Sequence, residues 1–233
     1  MDEGAASAPP VAHVRPVRSF VRREGRMTEA QKRALDELWP RFGVPDPAAP
    51  LDSMALFGRE APLTVEIGFG DGDHLLGRAQ QEPARNFLGV EVHRPGIGRL
   101  LLRAQAVGLR NLRVAAHDAV EVLRDAIRPG QVDELLIYFP DPWPKKRHHK
   151  RRLVQPAFAA LAAARLAPGG MLRLATDWAP YAEHMRAVLD AEPALQNAAA
   201  GFSDRGARPA TKFERRGVRL GHAVFDLAYR RVG

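Results

Sequence analysis

Leu63-Thr64-Val65-Glu66-Ile67-Gly68-Phe69-Gly70-Asp71-Gly72-Asp73 reads as an apolar strand that breaks into three alternate glycines and then enters a helix. Glycine tolerates positive φ and lets a ligand approach the main chain closely, so a strand-glycine-helix junction is a ligand-binding turn. The spacing departs from the dinucleotide fingerprint G-x-G-x-x-G, because the glycines fall at 68, 70 and 72 and position 73 is Asp. Acids at 66, 71 and 73 would repel a pyrophosphate and attract a cationic ligand.

From this junction the pattern keeps alternating. Strands are predicted over 63–67, 87–90, 112–115, 132–139 and 171–176, and helices over 73–81, 95–107, 119–127, 155–166 and 180–189. A last strand is expected over 222–230. Repeated strand-helix units predict an α/β fold: a mostly parallel, twisted sheet with helices on both faces.

Acids recur where these strands end. Glu91 closes the second strand, 91 − 72 = 19 residues beyond the last glycine, the spacing of an acid that accepts ribose hydroxyls. Asp118 follows the third strand and can accept from an adenine amino group; Asp141 follows the fourth. Carboxyl ends of strands in such a sheet share one crevice. A nucleoside with positive charge and no phosphate suits Glu66, Glu91, Asp118 and Asp141, and S-adenosylmethionine is such a molecule. Singly, each acid also reads as a helix cap or loop carboxylate. A metal would also explain clustered acids, but no EF-hand spacing or His-x-x-x-His pair is present, and none is expected.

The other informative segment is Phe139-Pro140-Asp141-Pro142-Trp143-Pro144-Lys145-Lys146-Arg147-His148-His149-Lys150-Arg151-Arg152. One acid sits on a stiff loop at a strand's end, followed by a cationic strip suited to nucleic-acid phosphates. A solvated basic loop is the plainer reading. The whole chain supports an anionic partner: 35 Lys and Arg against 27 Asp and Glu give 35 − 27 = +8 over 233 residues. It has no cysteine, which excludes disulfides, thiolate zinc sites and cysteine nucleophiles. No apolar run reaches membrane-spanning length and no secretory leader is recognised, so a cytoplasmic protein is expected.

Residues 1–14, rich in Pro and Ala, are expected to be disordered. Residues 15–50 read as a basic arm (Arg15, Arg18, Arg22, Arg23, Arg26), a helix capped by Thr28 with Gln31 three residues on, and a Pro-rich linker over 43–50. Residues 51–233 form the main domain.

Taken together, VEIGFGDGD at 65–73, FLGVEVH at 87–93, LIYFPDPWPKKRHHKRR at 136–152, LRLATD at 172–177 and TKFE at 211–214 resemble the bacterial tRNA (guanine-N7-)-methyltransferase family. The likeness runs from about residue 15 to the end, and the 138–152 and TKFE segments are its specific part. It implies a Rossmann-like class I methyltransferase that moves a methyl group from S-adenosylmethionine to N7 of a guanine in the tRNA variable loop (position 46). It implies Glu66, Gly68, Gly70, Glu91, Asp118 and Asp141 as cofactor residues, with Asp141 catalytic. Lys145, Asp177, Thr211, Lys212, Phe213 and Glu214 would bind substrate, and Arg147, His148, His149, Lys150, Arg151 and Arg152 would contact RNA.

The chemistry suits the residues. Guanine N7 has a free lone pair, so alignment matters more than a base. Asp141 either stabilises the charge developing on the ring or accepts from the guanine N1 and N2 edge. Trp143 either stacks on the base or anchors its loop. Two other readings stand beside this one: a methyltransferase acting on an exocyclic base amine, whose Asp/Asn-Pro-Pro-aromatic motif Asp141-Pro142-Trp143 loosely resembles, and a non-catalytic RNA-binding module. Both a monomer and a homodimer suit the fold.

Overall fold

A computed structural model describes residues 25–205, 214 and 223–233. The basic arm up to position 24, the 1–14 segment, Thr211, Lys212, Phe213 and the start of the last predicted strand lie outside the described residues.

The strands are β1 (Leu63–Ile67), β2 (Asn86–Val90), β3 (Leu112–Ala115), β4 (Val132–Tyr138), β5 (Leu166–Thr176), β6 (Leu195–Asn197) and β7 (Phe225–Arg231). They form one sheet in the order β3-β2-β1-β4-β5-β7-β6. β3 through β5 run parallel, with Val65 opposite both Leu88 and Leu135. β7 lies antiparallel between β5 and β6. β1 and β2 are fully buried, as strands in the middle of a covered parallel sheet are; β2 sends Phe87 to one face and Leu88 and Val90 to the other, whereas β1 sends Val65 and Ile67 to one face and the polar Thr64 and Glu66 to the other.

Eight helices flank it among the described residues: α1 (Glu29–Glu37), α2 (Trp39–Phe42), α3 (Ser53–Phe57), α4 (Asp73–Gln81), α5 (Arg94–Ala106), α6 (Ala119–Glu121), α7 (Pro156–Arg165) and α8 (Ala179–Asp190). One core layer joins Leu75 and Leu76 of α4, Ile97, Leu100 and Leu101 of α5, Ala34 of α1, and Phe87 and Val114 of the sheet. The other joins Phe158 of α7 and Tyr181, Met185 and Leu189 of α8 to Val65, Ile137 and Leu174. Val65 and Ile67 thus share one face, as period-two alternation demands.

α1 starts as its sequence predicts. Thr28 Oγ1 accepts from Gln31 N at 3.2 Å, and Gln31 Oε1 accepts from Thr28 N at 2.9 Å. This reciprocal cap contributes about 1 kcal/mol. The helix lies against α5 at Gly98, where a β-carbon would come within 2.8 Å of Gln31 O.

Three expectations change. The 43–50 segment is no free linker at its start: Val44 is buried and donates to Val114 O at 2.9 Å, joining the sheet edge. The helix predicted over 119–127 tightens to one α-turn and then widens into a π-helix, Val122–Ala126. β6 was not expected at all; its three residues carry no readable alternation.

Candidate active site

The strand order reverses between β1 and β4, whose following helices α4 and α7 pack on opposite faces, so a crevice opens beyond the carboxyl ends of these two paired strands. The predicted residues fall along that rim on five adjacent parallel strands. In spatial order they are Asp118 after β3, Glu91 after β2, Glu66 with the glycine turn on β1, Asp141 after β4 and Asp177 after β5.

The rim is stitched from loop to loop. Gly68 N donates to Val90 O at 2.8 Å, Glu91 N to Ala115 O at 3.1 Å, and Phe139 N to Ala175 O at 2.8 Å. Gly70 N donates to Glu91 Oε2 at 2.9 Å, and Glu91 Oε1 accepts from Val92 N and His93 N at 2.7 and 3.0 Å. Three main-chain donors therefore hold the Glu91 carboxylate in place at the strand's end. Asp118 caps α6, with Oδ1 accepting from Val120 N at 2.8 Å.

The turn fits a ligand approached through bare backbone. Gly68, Gly70 and Gly72 have φ of 71°, 58° and 76°, values that side chains rarely adopt. Gly68 is exposed, and a β-carbon there would meet nothing within 4 Å. At Gly96 of α5 a β-carbon would stand 2.2 Å from Gly70 O, so the helix start presses on the turn and fixes it.

Two of the three acids thought to repel a pyrophosphate are neutralised elsewhere. Asp71 pairs with Arg99 at 2.8 Å and Asp73 with Arg103 at 2.5 Å, both arginines on α5. The preference for a cationic, phosphate-free ligand rests instead on Glu66, Glu91, Asp118 and Asp141.

Glu66 is 4% exposed and sits inside β1, with Oε2 2.8 Å from His74 Nδ1. The His74 ring meets Tyr138, the last residue of β4, edge to face at 5.0 Å. His74 escaped the sequence reading; its signal was a polar residue between a glycine turn and Leu75-Leu76, at a position that must be buried.

Asp141 is exposed on the loop beyond β4. The aromatic residues on either side of Pro140-Asp141-Pro142 are strained: Phe139 has φ 53° and Trp143 φ 44°. Both precede a proline, and bulky residues avoid this region. Trp143 is packed from two directions: Arg151 lies over its ring at 4.9 Å and His148 meets it edge-on at 5.7 Å. That geometry favours the anchoring role over an open stacking platform.

The cationic strip forms a 3₁₀ helix, Lys146–Arg151. Lys145, Lys146, Arg147 and Lys150 are exposed, and His148, His149 and Arg151 half-buried. Desolvation, then the neighbouring charges of Arg147, Arg151, Lys145 and Lys150, lowers the His148 pKa. Arg152 departs from the strip. It is 4% exposed and points inward, so the expectation that it contacts RNA is corrected: a buried guanidinium does not reach a surface phosphate. Glu214 is also buried, 3.4 Å from Arg205.

Among the described residues no group of three or more His, Cys, Asp or Glu side chains is arranged to hold a metal. No described helix is long and apolar enough to cross a membrane.

The chain superimposes on the 16S rRNA methyltransferase KamB with a TM-score of 0.59 at 19% identity, covering 79% of this chain and 95% of that one. The antibiotic-resistance methyltransferase Kmr gives 0.54 at 15% identity, covering 78% and 92%. The fold is that of a Rossmann-like class I methyltransferase. A family model described as "Putative methyltransferase" matches residues 60–227. The tRNA (guanine-N(7)-)-methyltransferase of Alkalilimnicola ehrlichii is 58% identical over 221 residues, 93% of each chain, and that of Leifsonia xyli subsp. xyli is 58% identical over 224 residues, 95% of this chain and 98% of that protein. This chain belongs to the tRNA (guanine-N7-)-methyltransferase family.

Proposed function

We propose that the protein methylates N7 of a guanine in tRNA, at position 46 of the variable loop, with S-adenosylmethionine as donor. The observation that carries the reading is the placement of Asp141. It stands on a proline-stiffened loop at the switch point, one strand away from the glycine turn, with the exposed cations of the 3₁₀ helix directly after it. The identity to relatives that bear this activity in their names supports it over nearly the whole chain.

S-adenosylmethionine supplies an electrophilic methyl group on a positively charged sulfur. Gly68 and Gly70 offer it bare main chain, Glu91 a carboxylate for ribose hydroxyls, and Asp118 an acceptor for the adenine amino group. Glu66 adds negative charge beneath the turn. Guanine N7 attacks the methyl carbon with its own lone pair while the carbon–sulfur bond breaks, S-adenosylhomocysteine leaves and the positive charge passes to the guanine ring, so no side chain takes a proton first. Asp141 meets the target base, offsetting positive charge on its ring or accepting from its N1 and N2 hydrogens. Lys145, Asp177, Thr211, Lys212, Phe213 and Glu214 hold the target nucleotide. Arg147, His148, His149, Lys150 and Arg151 contact the RNA. Because tRNA is the substrate, the enzyme works in the cytoplasm.

Unmodified tRNA incubated with protein and methyl-labelled S-adenosylmethionine, then digested to nucleosides, tests this. Label in 7-methylguanosine is expected. Label in an N-methylated exocyclic amine, or none, would overturn it.

A further inference from the structure

The basic run ends at an arginine that behaves unlike the rest. The Arg152 side chain turns under the catalytic loop, where Nε donates to Pro142 O at 3.0 Å. Nη2 lies 3.1 Å from His149 Nε2, and the guanidinium carbon stands 4.8 Å from the centroid of the Tyr181 ring. Among the described residues no carboxylate pairs with it. Burying an arginine without a counter-charge is expensive, and an apolar side chain of similar size would be cheaper. Its presence therefore needs a reason other than stability.

The loop supplies that reason. Residues 140, 142 and 144 are prolines, so the main chain there has few donors with which to hold itself. Phe139 and Trp143 sit at φ 53° and 44°, a conformation that persists only where the surroundings impose it. Pro142 is the residue after Asp141, and its carbonyl is the group Arg152 grips.

The grip has a rigid base. Tyr181 of α8 is fully buried, and its hydroxyl accepts from Val154 N at 3.2 Å. His184, one turn on, donates from Nε2 to Val154 O at 2.9 Å. α8 thus holds both main-chain polar groups of Val154, two residues beyond Arg152. Burial pushes the Tyr181 hydroxyl up to about 12, so it stays protonated at working pH.

We propose that Arg152 is a positioning residue for methyl transfer: it ties the Pro142 carbonyl to α8 and so sets where the Asp141 carboxylate stands. It acts through the loop and touches neither RNA nor methyl donor. The inference rests on the reading of Asp141 as the group that meets the target guanine.

Arg152→Met and Arg152→Lys test it, with Lys150→Ala as the surface control. Steady-state methylation of unmodified tRNA gives kcat and KM, and filter binding across a salt series gives affinity and its salt slope. Both Arg152 variants are expected to lose about tenfold to a hundredfold in kcat, the scale of a misplaced catalytic group. Their tRNA affinity should stay within about threefold with the salt slope unchanged. Lys150→Ala is expected to bind tRNA more weakly and with a shallower slope, the mark of a lost phosphate contact. Lost affinity with a shallower slope in the Arg152 variants would overturn the proposal and return Arg152 to phosphate binding. Unchanged kcat would also overturn it, and so would a Lys variant that fails to fold, which would make the role purely structural. Wild-type protein in the same assay separates the two claims: no 7-methylguanosine removes both, whereas normal wild-type turnover with normal variants removes only the role of Arg152.

Discussion

His74 Nδ1 and Glu66 Oε2 lie 2.8 Å apart, both side chains about nine-tenths or more buried, beneath the turn that leaves β1. A carboxyl group taken from water needs such a partner, since an orphaned buried polar group costs about 1–3 kcal/mol. His74→Leu is therefore expected to destabilise the protein by about that amount in urea denaturation. An unchanged midpoint would mean that Glu66 does not depend on this histidine.

The start of α5 presses on the glycine turn at Gly96, where a β-carbon would fall 2.2 Å from Gly70 O. Backbone cannot step aside as a flexible side-chain end can. Gly96→Ala is expected to cost about 1–3 kcal/mol and to weaken S-adenosylmethionine binding, because the turn must move. Thermal melts and calorimetry would read both effects. Gly77→Ala, where a β-carbon meets nothing within 4 Å, is the control expected to be neutral or stabilising.

His184 gives a pH dependence of defined sign. Burial, foremost, lowers its pKa below the ordinary 6.5, against the pull of the Val154 carbonyl. The unfolded chain takes up this proton near 6.5, and the folded chain only at lower pH. Between those values the unfolded state holds more protons, so the stabilisation present above 6.5 is lost as pH falls through the folded value. His184→Gln keeps a donor for Val154 O and does not titrate. Urea midpoints should fall less from pH 7.5 to 5.5 in that variant than in wild type; parallel falls would contradict the assignment.

Asp141→Ala should abolish methyl transfer while tRNA affinity stays within a few-fold, since the exposed cations that follow it are untouched. Filter binding and the labelled-nucleoside assay together check this. Normal turnover would remove Asp141 from the reaction centre.

The parts of the fold that the sequence made legible are those in which one segment determines its own shape. Val65 and Ile67 alternate onto one sheet face, Thr28 and Gln31 cap each other, and Gly68, Gly70 and Gly72 all take the positive φ their spacing suggested. The comparisons bear out the α/β architecture and the family resemblance. What escaped depends on partners distant in the chain. Asp71 and Asp73 look like ligand-facing acids until α5 brings Arg99 and Arg103 to them. Val44 looks like linker until Val114 offers a carbonyl. A run of like charges cannot reveal which member turns inward, and Arg152 does so where the Tyr181 ring and the Pro142 carbonyl, each distant from it in the chain, receive its guanidinium.

The central claim is that carboxylates along the rim seat a cationic, phosphate-free nucleoside. Calorimetric titration of S-adenosylmethionine into the wild-type protein, Glu91→Gln and Asp118→Ala tests it most directly. Wild-type binding that is not displaced by NADH is predicted, with each variant at least about tenfold weaker, or about 1.4 kcal/mol. Displacement by NADH, or variants that bind as tightly as wild type, would contradict it.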